Sequence, residues 1–231
     1  MKIYLVRHGD PDYENDTLTE RGHREAEALV AYLKAEGIHE IFSSPLGRAR
    51  DTARYTAESL GLDVTVEPWM TELDLRTESD GRESAWDVHG HSIRNPEYLN
   101  DNAAIDLIPN MPAARIREVV AEIRTNSDRF LASLGYVRDG GVYRIEKQTD
   151  RRIAVFAHGG FGLSWLSVLL EIPLPLMWSG FFLHTSSVTQ ILFDARSDSL
   201  ATPRCLMMGA LPHLFAASLE PGTMGIRANY T

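Results

Sequence analysis

The chain has 231 residues, a formal net charge of −9, 44% hydrophobic residues and 24% charged residues. These values are typical of a globular protein with a sizeable core, and the length fits one domain that carries a large insertion. The acidic balance excludes general nucleic-acid binding, which depends on a basic surface. A local cluster of arginines inside an acidic protein can still bind a small anion.

The single cysteine, Cys205, excludes an intramolecular disulfide and is typical of a reducing compartment. Only four consecutive apolar residues precede Arg7, which does not match a signal peptide. The most apolar region, residues 161–183, is interrupted by a glutamate and two prolines and is too short on either side to span a bilayer. We therefore expect a cytoplasmic protein that binds neither membranes nor nucleic acid.

The first predicted element is a buried strand that ends in polar residues. Ile3 to Val6 are apolar, and Arg7, His8 and Gly9 follow at once. Open α/β sheets bind ligands at the carboxyl ends of their strands, so this position favours a binding role for Arg7 and His8. Gly9 allows the backbone to turn sharply.

Strands and helices then alternate. Thr19 is a candidate helix N-cap, with Gly37 at the other end, and a strand at 40–43 leads into a helix over about 46–60. A further strand is predicted at 63–67. This βαβ order predicts an α/β fold with a largely parallel sheet.

The alternation lapses from about residue 76 to residue 110, a polar stretch rich in turn formers. A long helix is predicted after Pro112, and Gly140-Gly141 separates two short runs typical of a hairpin. We expect one domain, residues 1–231, with a cap insertion at about 76–150 over one edge of the core.

A second strand of the same design follows the insertion. Residues 152–157 are mostly apolar and end at His158, Gly159 and Gly160, and later strands are predicted at 187–193 and 204–208. If the parallel strands are neighbours, His8, His158 and Arg48 meet at one sheet edge. Guanidinium groups, imidazoles and helix-terminal N–H groups in one place predict an anion site.

In these motifs the chain resembles the histidine phosphatase superfamily, the phosphoglycerate mutase-like proteins, in its phosphatase branch. The matching stretches occur in the family's order: Arg7-His8-Gly9, residues 18–22, residues 43–53, Glu72 and His158-Gly159. The resemblance implies a three-layer α/β fold with a mainly parallel sheet and helices on both faces.

The resemblance also implies a reaction and its residues. His8 would be the nucleophile that forms a phosphohistidine, while Arg7, Arg48 and His158 would bind the phosphoryl oxygens. Side-chain cations would then balance the phosphate charge, so no metal or other cofactor is expected. Glu72 would be the general acid, although three further carboxylates stand close by in the sequence: Glu67, Asp74 and Glu78.

Residues 73–76 (Leu-Asp-Leu-Arg) follow Glu72, where cofactor-dependent mutases of the family have Arg-His-Tyr-Gly. We therefore expect a phosphomonoester hydrolase rather than a mutase, with a small phosphorylated metabolite or a phosphoprotein as substrate and inorganic phosphate as product. Cationic residues of the predicted insertion would either bind a second anionic group of the substrate or form a solvated lid; these are Arg76, Arg82, His89, His91 and Arg94.

Two other functional classes stay open. Residues 87–91 read Asp-Val-His-Gly-His, and with Asp10 and Asp12 they are candidate ligands for a metal-dependent hydrolase. The other alternative is a module that binds phosphate without catalysing a reaction, although a loss of activity normally involves the loss of the nucleophile or the acid. Candidates for both, His8 and Glu72, are present.

Overall fold

The computed structural model describes residues 1–78, 83–94 and 102–226. Its strands are β1 (Lys2–Arg7), β2 (Pro11–Asp12), β3 (Thr17–Leu18), β4 (Glu40–Ser43), β5 (Val64–Val66), β6 (Tyr136–Asp139), β7 (Val142–Ile145), β8 (Arg152–Ala157), β9 (Val188–Asp194) and β10 (Leu200–Ala210). Its helices are α1 (Glu20–Glu36), α2 (Gly47–Leu60), α3 (Gly90–Ile93), α4 (Ala113–Ser133), α5 (Gly159–Leu170), α6 (Leu174–Gly180) and α7 (Pro212–Ala216). Short 3₁₀ turns lie at 68–70, 85–87 and 102–107.

Eight strands form one mixed sheet in the order β5-β4-β8-β1-β9-β10-β7-β6. The four strands from β5 to β1 are parallel, whereas β9, β10, β7 and β6 are added antiparallel. The predicted α/β fold is confirmed. The last strand, β10, is longer than predicted because its first residues pair with β7 and its later ones with β9 across two register shifts.

The central strands β1 and β8 are buried on both faces, which explains why their residues are mostly apolar. Side chains alternate along a strand, so Ile3 and Leu5 belong to the core under α4 and α5, while Tyr4 and Val6 belong to the core under α1 and α2. Helices therefore cover the sheet on two sides, as the three-layer prediction requires.

The segment predicted as an insertion, residues 76–150, divides into two parts. Helix α4 packs on α5, and the hairpin of β6 and β7 extends the main sheet, so residues 113–145 are built into the core. The part outside the sheet and the main helix layers that the structure describes is 76–78, 83–94 and 102–112. Within the described chain, no helix combines the length and apolarity needed to cross a membrane.

The docking of α4 on α5 rests on a buried aromatic cluster with one polar contact. Trp165 is fully buried, and its Nε1–H donates to Ser127 Oγ at 2.8 Å. Phe130 and Trp69 pack around the same indole ring, with ring centroids 6.3 and 5.6 Å away.

We expect Ser127→Ala to lower the free energy of unfolding by about 1–3 kcal/mol, because the indole N–H would stay buried without an acceptor. Thr125→Ala is the matched control, since Thr125 is exposed on the same helix and bonds only to the Ala121 carbonyl. Urea denaturation measures the free energy of unfolding of both variants. Equal losses in the two variants would mean that this contact does not hold α4 to α5.

Candidate active site

The two predicted histidines lie side by side at the carboxyl edge of the sheet. β1 and β8 are parallel neighbours in which Arg7 faces Ala157, so His8 and His158 leave the sheet at the same level. Their ring centroids are 5.2 Å apart, and the residues are 2% and 0% exposed. The His8 N–H donates to the Ala157 carbonyl at 2.9 Å and joins the two strand ends.

The hydrogen bond of the His8 ring selects one tautomer. Nδ1 lies 2.8 Å from the Gly9 carbonyl oxygen, which can only accept, so Nδ1 carries the proton and Nε2 keeps its lone pair. Burial, followed by the positive charges of Arg7 and Arg48, holds the pKa of His8 well below its usual range. The imidazole is therefore neutral near pH 7, as a nucleophile requires.

Three nitrogen atoms next to His8 are buried without a hydrogen-bond partner in the described structure: the donors Arg7 Nε and Arg48 Nε, and the ring nitrogen Nδ1 of His158. The rest of each side chain is anchored. Arg7 Nη1 donates to the Leu183 carbonyl at 2.5 Å, Arg48 Nη1 donates to Asp16 Oδ1 at 2.6 Å, and His158 Nε2 lies 2.7 Å from Ser44 Oγ. Buried donors are rarely left unpaired, so this group suits an anionic ligand.

The turn from β4 into α2 positions Arg48. The Gly47 N–H donates to Asp16 Oδ2 at 2.7 Å, and a Cβ at Gly47 would lie 2.0 Å from the Asp16 carbonyl oxygen. Only glycine allows this approach. The Tyr13 ring covers the Arg48 guanidinium, with its centroid 5.3 Å from Cζ. The sequence motif identified Arg48, but neither Asp16 nor Tyr13 was predicted, because both lie on a loop distant in the chain.

Glu72 is bound to the N-terminus of α5. Its carboxylate accepts N–H groups from Leu73 at 2.9 Å, Phe161 at 2.8 Å and Gly160 at 3.2 Å. Burial raises the pKa of Glu72, while the three N–H donors and Arg7 oppose that shift. Of the neighbouring carboxylates, Glu67 accepts the Trp69 indole N–H, Asp74 is 98% exposed and Glu78 is exposed.

These groups border a cavity of about 1030 Å³. Its wall includes Arg7, Arg48 and Glu72; His8 and His158 are buried and are not among the residues that line it. Among the cationic residues predicted to contact substrate, Arg76 lines the cavity. His89, His91 and Arg94 are exposed and do not line it, and Arg82 lies outside the described residues.

Two further residues hold the His8 backbone and were not predicted. Thr52 Oγ1 accepts the Gly9 N–H at 3.0 Å, and the Ser186 N–H donates to the His8 carbonyl at 3.0 Å. Thr52 falls inside the matched motif of residues 43–53, so that motif could have indicated Thr52 as a functional residue. Ser186 has a positive φ of 57° in a tight turn before β9 that no local pattern indicates.

Candidate metal ligands do not converge in the described part of the chain. No group of three or more His, Cys, Asp or Glu side chains is arranged to hold a metal ion there. The rings of His89 and His91 stack on each other with centroids 5.5 Å apart. Asp10 and Asp87 line the cavity, but these histidines do not join them there.

The sequence matches proteins of one known family. The model of the histidine phosphatase superfamily (branch 1) matches residues 3–204. A probable phosphoglycerate mutase (GpmB) of Cronobacter sakazakii is 37% identical over a stretch that covers 32% of this chain and 39% of that protein. The chain thus spans about two fifths of the length of the curated relatives it matches.

Solved structures share the fold over nearly the whole chain. Phosphoserine phosphatase of Entamoeba histolytica, in complex with 3-phosphoglyceric acid, is 20% identical with a TM-score of 0.63, covering 92% of this chain and 98% of that one. A mycobacterial glucosyl-3-phosphoglycerate phosphatase is 23% identical with a TM-score of 0.62, covering 90% and 98%. Since the family model matches most of its length, the chain belongs to the histidine phosphatase superfamily.

Proposed function

We propose that this protein is a phosphomonoester hydrolase that works through a phosphohistidine at His8. The observation that carries the proposal is the His8 ring itself: it is neutral, keeps its Nε2 lone pair, and lies beside two arginines whose buried Nε–H groups have no partner among the described residues. A phosphoryl group between these donors would be bound on several oxygens and presented to Nε2. The related solved phosphatases are consistent with this activity.

The first half-reaction transfers the phosphoryl group to the enzyme. The Nε2 lone pair of His8 forms a bond to phosphorus while the bond from phosphorus to the ester oxygen breaks. Protonated Glu72 gives its proton to the departing oxygen, which leaves as an alcohol. Arg7, Arg48 and His158 stabilise the charge on the non-bridging oxygens in the transition state.

The second half-reaction returns the enzyme to its starting state. A water molecule attacks phosphorus and gives a proton to the Glu72 carboxylate, while the bond between phosphorus and Nε2 breaks. Inorganic phosphate leaves, and His8 is again neutral. The Gly9 carbonyl keeps the Nδ1 proton in place throughout both steps.

A mutase is the second candidate, because curated relatives carry that name. In a mutase the phosphohistidine would pass its phosphoryl group to a second hydroxyl of the substrate instead of to water. The Leu-Asp-Leu-Arg sequence after Glu72 favours hydrolysis, since it replaces the Arg-His-Tyr-Gly of the cofactor-dependent mutases.

We expect His8→Ala to abolish turnover of phosphomonoesters while inorganic phosphate still binds, because Arg7, Arg48 and His158 are unchanged. In the wild type, rapid acid-free quenching of a ³²P-labelled substrate should trap an acid-labile phosphoenzyme that His8→Ala lacks. His39→Ala is the control, since His39 is exposed at the opposite end of the sheet. Normal turnover by His8→Ala would refute the phosphohistidine route.

The pH dependence should separate His8 from Glu72. Activity needs neutral His8, whose pKa is lowered well below 6.5, and protonated Glu72, whose pKa is raised above 4.5. We therefore expect kcat/KM to be greatest at acidic pH and to fall as pH rises through the pKa of Glu72. Glu72→Gln should remove that alkaline limb; an unchanged limb would assign it to another group.

Glu72→Gln should also affect substrates unequally. Poor alkyl leaving groups need the proton, so their kcat should fall by about 10²–10⁴-fold. The 4-nitrophenolate of 4-nitrophenyl phosphate leaves without protonation, and its rate should fall far less. Asp74→Asn is the control, because Asp74 also lines the cavity but its side chain is 98% exposed. An equal fall in kcat for both substrates would mean that another group is the general acid.

The mutase alternative can be measured directly. With 3-phosphoglycerate as substrate, we expect release of inorganic phosphate without formation of 2-phosphoglycerate, whether or not 2,3-bisphosphoglycerate is added. NMR of ³¹P resolves all of these species. Isomer exchange that outpaces phosphate release would identify a mutase.

A further inference from the structure

The cavity wall carries apolar side chains as well as charged ones. Six of its apolar residues form a set that we call the apolar lining: Trp86, Val88, Trp178, Phe181, Phe182 and Met224. Phe181 and Met224 are 43% and 40% exposed. Aromatic side chains grouped around a cavity and open to solvent are typical of a surface that a ligand covers.

Trp86 stands next to the proposed acid. A Cβ placed on Gly160 would lie 2.5 Å from the Trp86 ring and 2.8 Å from Glu72 Oε1, so ring and carboxylate approach the same point. The group that receives the proton from Glu72 is the leaving group of the ester. Because Trp86 and Glu72 also line the same cavity, a leaving group within reach of Glu72 lies close to Trp86.

The other charges of the cavity wall do not favour a second anion. Apart from Arg7, Arg48 and Glu72, the charged residues of the described cavity wall are Arg21, Arg76, Asp10, Asp74 and Asp87, a formal sum of −1. Both cations already have protein partners. Arg21 Nε lies 3.0 Å from the buried carboxylate of Glu25, and Arg76 Nη1 donates to Ser84 Oγ at 3.2 Å.

From these observations we infer that the preferred substrates are phosphomonoesters with an uncharged aromatic or bulky apolar leaving group, which packs against Trp86 and the apolar lining. This specificity rests on the proposed hydrolase function. It differs from the expectation that cations of residues 76–94 bind a second anionic group. A carboxylate carried by the leaving group would lose hydration at a cavity wall whose formal charge, apart from Arg7, Arg48 and Glu72, is −1.

The test compares esters of primary alcohols of similar acidity, so that bond cleavage is matched and packing differs. We expect kcat/KM for benzyl phosphate to exceed that for ethyl phosphate by about 10–100-fold, from burial of the phenyl ring. It should also exceed that for 4-carboxybenzyl phosphate by about tenfold, because the two differ only in the carboxylate. Equal values for benzyl and ethyl phosphate, or faster cleavage of the carboxylated ester, would overturn the inference.

Variants of Trp86 test whether contact with this residue causes the preference for benzyl phosphate. In Trp86→Ala the ratio of kcat/KM for benzyl over ethyl phosphate should fall about fivefold or more, and the ratio cancels any general loss of catalysis. Trp86→Leu keeps more of the side-chain volume and should lower the ratio less. Phe215→Ala is the matched aromatic control, because Phe215 is 90% exposed and does not line the cavity. An unchanged ratio in both Trp86 variants would exclude Trp86 as the contact.

The outcomes separate this inference from the proposed function. The wild-type series alone tests the preference, whether or not a Trp86 variant folds. If ethyl phosphate is cleaved through His8 with no preference for benzyl phosphate, only the inference fails. If no phosphomonoester is cleaved, or if His8→Ala retains turnover, the proposed function fails and the inference fails with it.

Discussion

The parallel pairing of β1 with β8 is the constraint on which the site depends. It sets Arg7 opposite Ala157, so two imidazoles that are 150 residues apart in the chain leave the sheet together, with ring centroids 5.2 Å apart. The same pairing buries both rings. Burial beside two guanidinium groups keeps the imidazoles neutral, because a charged ring there would lose hydration and face like charges.

This site combines anchored atoms with unpaired ones. The guanidinium groups of Arg7 and Arg48 each donate from one nitrogen to a protein oxygen and keep a buried Nε–H that has no partner in the described part of the chain. An anchored side chain loses little further conformational freedom when a ligand binds, so its remaining donors act at small entropic cost. Glu72 is also anchored, but it carries the opposite charge. N–H groups at the N-terminus of α5 hold its carboxylate at the cavity wall.

Opposing effects act on the protonation of Glu72. Three backbone N–H donors and Arg7 favour the carboxylate, whereas burial favours the protonated acid and prevails in the direction of the pKa shift. In the proposed mechanism Glu72 acts first as an acid and then as a base, so both of its forms need to be accessible. A phosphate dianion bound nearby would favour the protonated form further, and its departure would reverse that effect.

The sequence by itself determined the central strands, the long helices and the order of the motifs, because these depend on local patterns: apolar runs, a Thr19 cap, and glycines at helix ends. It also pointed to His8, His158, Arg48 and Glu72. Only the tertiary structure decided what surrounds them. Asp16 reaches Arg48 from another loop, Trp86 meets Glu72 through the close approach at Gly160, and the helix at 113–133 joins the core. Such contacts join residues distant in the chain, and their geometry depends on packing that no local pattern encodes.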